Sequence, residues 1–189
     1  MKTTKQLLAT ALTAAAIFIG TNVKAQSVPK SALRFGVGVE GLLPTGGLLK
    51  DVSNVGLGGT ARLQYGVADN LALTLTSGYY NFFGKKINDN FDAKYPSFGL
   101  VPVKAGIKAF VAQNFYLSGE VGAAFETRDV YAGVTGKPQG NGKATKLIAS
   151  PGIGWANQKW DVGARYENFS GQDNNYGTVG LRIAYGFGL

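Results

Sequence analysis

The stretch "VADNLALTLTSGYYNFFG", Val67 to Gly84, is the one on which the fold turns. Leu71, Leu73, Leu75 and Tyr79 alternate with Ala72, Thr74, Thr76 and Gly78, and no charged residue stands between Leu71 and Gly84. Successive side chains of a strand point to opposite faces, so the alternation predicts a β-strand with one apolar face and one small or polar face. If the Thr face meets water, the protein is soluble. If the Leu face meets lipid, the molecule is inside out.

The same comb recurs along the chain, in windows at about 33–43, 55–65, 71–80, 101–111, 115–126, 145–156, 160–167 and 178–189. A tilted strand crosses a bilayer in roughly 9–11 residues, which these windows match, the seventh being short. One face of every window is free of charge, as in Leu33, Phe35, Val37, Val39, Gly41 and Leu43 of the first window. The opposite face carries Arg34, Glu40, Arg62, Lys104, Lys108, Glu120, Glu126, Lys146, Asp161, Arg165, Glu167 and Arg182, interleaved with glycines such as Gly36, Gly38, Gly58, Gly106 and Gly154. A solvent-exposed strand face has no reason to prefer Gly, which weakens strands. The inside of a narrow barrel does, because space is needed beside Arg, Lys and Tyr. Seven basic and five acidic residues on that face can pair with one another, as enclosed charges must. The polar face is therefore read as the lumen.

The connections alternate in length. Gly66–Asn70, Ala112–Asn114 and Asn157–Lys159 are short, whereas about 44–54, 81–99, 127–144 and 168–177 are long. Transmembrane barrels have short periplasmic turns, long external loops and an even strand number. On the apolar face, Phe35, Tyr65, Phe115, Trp155, Trp160, Tyr185 and Phe187 fall near the short-turn rim, and Tyr79, Phe125 and Tyr166 near the long-loop rim. Two aromatic girdles around an aliphatic band are what the interfaces of a bilayer select.

Composition agrees. Gly accounts for 28 of 189 residues, about twice the usual share, without a collagen period. Lys2 and Lys5, the apolar stretch Leu7–Gly20 and Val23-Lys24-Ala25 have the three parts of a secretory signal, expected over residues 1–25 with cleavage after Ala25. Residues 26–189 are then expected to form one barrel domain. Without Lys2, Lys5 and Lys24 the chain keeps 16 basic and 11 acidic residues, a mild and scattered excess that gives no nucleic-acid footprint.

On these features the chain resembles the small eight-stranded outer-membrane β-barrels of the OmpA transmembrane-domain, OmpX and OmpW type. The signal ending "VKAQS", the eight combs, the alternating connections and the closing strand "TVGLRIAYGFGL" carry the likeness. It implies an all-β, eight-stranded antiparallel up-and-down transmembrane barrel in the cell outer membrane. The implied partners are outer-membrane lipid and the outer-membrane assembly machinery, which reads a C-terminal strand ending on an aromatic. Here Leu189 is last and Phe187 stands two before it.

Motifs of chemistry are few. "GVGVEG", Gly36–Gly41, matches a dinucleotide fingerprint by letter, but it lies inside a comb with no helix after it. The chain has no His and no Cys, which removes the usual general base and the thiol nucleophile. The resemblance includes enzymes that deacylate or transfer acyl chains on lipid A with a catalytic His, and the missing His argues against that branch. The expected protein is non-catalytic, without cofactor or metal, with a side-chain-filled lumen and four external loops in a structural or surface-interaction role, any surface ligand unidentified. Two other classes share the pattern: a soluble periplasmic or secreted barrel with the Leu face turned inward around an apolar ligand, and a narrow channel for small solutes.

Overall fold

The computed structural model describes residues 29–88, 91–127, 144–171 and 175–188. The expected leader over residues 1–25, most of the third long connection and Leu189 lie outside the described residues.

Eight long strands alternate inward and outward as the combs do: β1 (Leu33–Gly46), β2 (Ser53–Ala68), β3 (Leu71–Gly84), β6 (Phe98–Phe110), β7 (Phe115–Glu126), β8 (Thr145–Ala156), β9 (Trp160–Ser170) and β10 (Tyr176–Gly188). All neighbours are antiparallel, and the sheet closes in the order β1-β10-β9-β8-β7-β6-β3-β2. The seam pairs the first strand with the last, from Arg34 opposite Gly188 to Gly46 opposite Gly177. Every strand therefore has two partners, and no edge is left to be hydrated.

Short connections follow from local chemistry. Between β2 and β3 only Asp69 and Asn70 remain. Asn114 adopts φ +71°, a conformation Asn tolerates, and turns the chain into β7. The Asn157 side-chain oxygen accepts from the backbone N–H groups of Lys159 at 2.8 Å and Trp160 at 2.7 Å, which fixes the turn before β9.

The structure revises several expected limits. The seventh comb, expected over 160–167, runs on to Ser170, and the fourth starts at Phe98 and stops before Val111. The 44–54 connection is largely ordered: β1 reaches Gly46, Gly47 (φ +69°) reverses the chain, and a short helix α1 (Leu48–Val52) follows. Leu49 and Val52 of α1 are buried, and that burial folds the connection back onto the barrel. The 81–99 connection contains a hairpin of β4 (Lys86–Asn88) and β5 (Phe91–Lys94), separate from the barrel sheet.

Three prolines sit within barrel strands: Pro44, near the end of β1, pairs with Thr178 just before a register shift, whereas Pro102 and Pro151 each interrupt one ladder without shifting its register. Pro102 keeps its pairing with Ala124 of β7, but the β3–β6 ladder is broken between Ser77–Val103 and Tyr80–Leu100. Pro151 keeps its pairing with Gly119, but the β8–β9 ladder is broken between Ala149–Asn168 and Gly152–Arg165. Each ring lacks the N–H that its other neighbour would accept.

Candidate functional site

All charged residues of the eight barrel strands are buried: Arg34, Glu40, Arg62, Lys104, Lys108, Glu120, Glu126, Lys146, Asp161, Arg165, Glu167 and Arg182. The alternation delivers them to one lumen from seven strands, β3 contributing none.

Eight of the twelve form a closed ring of alternating sign. Glu167 Oε1 lies 2.5 Å from Lys104 Nζ, whose other carboxylate is Glu120, 3.5 Å away. Glu120 Oε1 is 3.1 Å from Arg62 Nη2, and Arg62 Nη1 is 3.7 Å from Asp161 Oδ2. Asp161 is 3.8 Å from Arg182 Nη1, and Arg182 Nε is 3.5 Å from Glu40 Oε1. Glu40 pairs with Arg165 Nη2, and Arg165 Nε returns to Glu167 at 2.8 Å. Each carboxylate bridges two cations and each cation bridges two carboxylates. The ring is electrically neutral and crosses between strands that are not neighbours in the sheet, such as β2 and β9.

Hydroxyl groups complete it. Thr60 donates to Glu40 at 2.7 Å and Thr76 to Glu120 at 2.7 Å, while Tyr80 and Ser150 each donate to Glu167 at 3.3 Å. Lys108 attaches to the ring from outside, 2.5 Å from Asp161, which also accepts from the Tyr116 hydroxyl at 2.7 Å. Buried carboxylates are costly without such partners, and here each has several.

The remaining three charges lie apart from the ring. Arg34 Nη1 donates to the Asn157 carbonyl at 2.8 Å on the short-turn side. On the long-loop side, Lys146 donates to the Gly171 carbonyl at 2.6 Å, and Glu126 accepts from the Tyr176 hydroxyl at 2.9 Å.

Above the ring, toward the long connections, the lumen becomes apolar. Leu42, Phe82, Phe98, Leu100, Ile148, Phe169 and Tyr176 point inward, and Leu49 and Val52 of α1 close over them. Phe82 stacks on Phe98 at 6.1 Å and Phe169 on Tyr176 at 4.9 Å. Reading the windows missed this cork. Its signal is phase: Phe82 continues the inward series of Thr76 and Tyr80, and Phe169 that of Arg165 and Glu167. Below the ring, Phe110, Tyr116 and Ala156 form a smaller apolar cluster. Together the three layers fill the lumen apart from a small cavity at the short-turn end.

Glycine supplies the space. A Cβ on Gly58 would come within 2.5 Å of the Tyr80 ring, and one on Gly56 within 2.6 Å of Phe82. Gly188, in contrast, is exposed at the rim instead of packed in the lumen.

The outside has the opposite character. Val39, Leu57, Leu75, Val121, Leu147, Ile153 and Leu181 are each at least half exposed, and no outward position of the eight strands is charged. Tyr65, Phe115, Trp160 and Phe187 are exposed near the short-turn rim, with Phe35, Trp155 and Tyr185 partly covered. Trp160 meets Tyr185 edge-on at 5.3 Å, and Tyr185 meets Phe187 at 5.0 Å. Tyr79, Phe125 and Tyr166 are exposed near the other rim. The Leu face is therefore outermost, the reverse of what a soluble barrel with an apolar cavity requires. An apolar exterior around an ion-paired interior is a bilayer-spanning surface.

The fold is that of the small outer-membrane β-barrels. In structure the chain is similar to the outer-membrane protein Ail of Yersinia pestis in a phospholipid bilayer nanodisc, with TM-score 0.57, 17% identity, and coverage of 84% of this chain and 100% of that one. It is also similar to the N-terminal β-barrel domain of Pseudomonas aeruginosa OprF, with TM-score 0.52, 10% identity, and coverage of 84% and 98%. No protein-family model matches the chain, and no curated protein sequence does. At these identities the likeness concerns the fold. With the exposed aliphatic band it gives the barrel its location, the cell outer membrane.

Proposed function

We propose that this is a non-catalytic outer-membrane protein whose barrel is a sealed scaffold holding four long connections at the cell surface. The observation that carries this reading is the closed ring of eight charges with the aromatic cork above it. Eight strands enclose a lumen just wide enough for side chains to fill, and here its middle is filled by charged groups paired with one another. A ring in which every carboxylate is held by two cations has no free general base to offer a substrate.

Rigidity is what such a barrel supplies. Its backbone hydrogen bonds are closed within the sheet, and its cross-strand ion pairs and aromatic cork block a continuous path through the lumen. Outer-membrane lipid would contact the aliphatic band, with Phe35, Tyr65, Phe115, Trp155, Trp160, Tyr185 and Phe187 anchoring one interface and Tyr79, Phe125 and Tyr166 the other. A secretory leader over residues 1–25, cleaved after Ala25, would deliver the chain for export, and the assembly machinery would receive it through its last strand. The surface role then belongs to the long connections, which carry α1, the β4–β5 hairpin and the exposed Lys50, Lys86 and Lys94.

Trypsin treatment of intact cells tests the orientation. Cleavage is expected at Lys86 and Lys94, with Lys159 in a short turn protected until the envelope is opened. Cleavage at Lys159 alone in intact cells would invert the reading. In planar bilayers the purified protein is expected to give no sustained openings, and stable openings would replace the sealed scaffold with a channel.

A further inference from the structure

At the short-turn end the lumen holds a small cavity of about 20 Å³, lined mainly by Arg34, Arg62, Gln64, Asp161 and Arg182. Its size suits a single occupant of water dimensions or slightly more. Three of the side chains that line it each carry a nitrogen with no hydrogen-bond partner among the described residues: Arg34 Nη2, Gln64 Nε2 and Arg182 Nη2. Each belongs to a buried side chain, 7%, 3% and 3% exposed respectively. Buried donors left unmade are expensive, so three in one cavity ask for a common acceptor.

Charge points the same way. The twelve buried ionic side chains comprise seven cations and five carboxylates, an excess of two positive charges. The eight-membered ring is neutral, and Lys146 and Glu126 at the long-loop end contribute one charge of each sign. The excess therefore rests on Arg34 and Lys108. Arg34 lines the cavity, and Lys108 is bonded to Asp161 in its wall. Asp161, the cavity's one carboxylate, is already engaged by Lys108, Tyr116, Arg62 and Arg182.

We propose that this cavity binds one small inorganic anion of halide size, held by the side-chain nitrogens of Arg34, Gln64 and Arg182. An anion accepts from all three donors and asks for none in return, whereas a water must also place two hydrogens against acceptors that are already occupied. The anion also lowers the positive excess that the ring leaves behind. Access is from the short-turn rim, where a groove of about 500 Å³ shares Arg34, Tyr185 and Gly186 with the cavity and adds Lys159 at its mouth. A Cβ on Gly186 would collide with the Arg34 guanidinium, so the missing side chain at Gly186 is what lets Arg34 lie along this entrance.

Bromide is the probe. The full chain, folded in detergent, is crystallised with bromide as the only halide, and a solution titration follows chloride-35 line broadening. The expected result is an anomalous peak in the cavity within bonding distance of the three nitrogens, and broadening that saturates. Gln64→Leu, whose folding is checked by heat-shifted gel migration, is expected to weaken binding about fivefold, the worth of one hydrogen bond. The bromide crystal of the native chain stands alone if that variant fails to fold. A cavity holding only water in bromide, broadening that never saturates, or equal affinity in a folded Gln64→Leu protein would overturn the proposal.

Discussion

Lys104 and Glu167 stand on β6 and β9, which are not neighbours in the sheet, yet their side chains meet across the lumen at 2.5 Å with neither exposed to solvent. Lys104 also reaches Glu120, so its removal opens the ring at two carboxylates. Lys104→Met is expected to destabilise the barrel by about 3–5 kcal/mol, the cost of stranding a buried charge. Adding Glu167→Gln to that variant is expected to cost much less than the sum of the two single changes. Urea unfolding in lipid vesicles, run as a double-mutant cycle, measures both.

The outward face predicts a contrast within one strand and its turn. Leu75 is half exposed and is paired with Leu63 and Ala105, in the middle of the aliphatic band. Leu75→Arg is expected to cost about 2–4 kcal/mol, as a cation at the bilayer midplane does. Asp69→Arg, at the exposed tip of the short turn before β3, is expected to stay within about 0.5 kcal/mol. The same vesicle unfolding assay separates them.

Gly56 and Phe82 form a matched pair on β2 and β3, directly opposite in register. Gly56→Ala is expected to cost about 1–3 kcal/mol because its methyl group overlaps the ring. In a Phe82→Leu background the same substitution is expected to cost less, since the ring edge is gone. Heat-modifiable gel migration at graded temperatures ranks the four proteins.

The cork depends on α1. Leu49→Asp would place a carboxylate among Leu42, Phe98 and their neighbours, so the helix is expected to leave the mouth while the barrel persists. Trypsin should then cut at the adjacent Lys50 several-fold faster than in the native protein, with no loss of heat-modifiable migration.

Much of this architecture was legible because charge and glycine fix the phase of a strand. In "LRFGVGVEGLL", Arg34 and Glu40 fall on one parity with Gly36 and Gly38, and the structure turns that parity inward, with both charges buried. What alternation cannot supply is partnership. Arg62 meets Asp161, 99 positions later, because of barrel stagger and side-chain reach, neither of which leaves a mark on either strand alone. The cork was missed for a different reason. "NFF", 81–83, and "FG", 98–99, fall in the expected 81–99 connection because apolar and polar positions cease to alternate there, although both faces of a strand can be apolar where the lumen itself is dry. Helix α1, at five residues, is shorter than any helical period that could announce it.

The seam between β1 and β10 sets an order on biogenesis. Until Tyr176–Gly188 is in place, both β1 and β9 present a row of bare N–H and C=O groups, each worth several kcal/mol in hydrocarbon. A nascent or truncated chain ending before β10 has no bilayer-stable intermediate of its own and must be sheltered until the thirteen residues of that strand arrive. Closure of the sheet thus waits on β10, the strand that covers an edge of β1 and an edge of β9 at once.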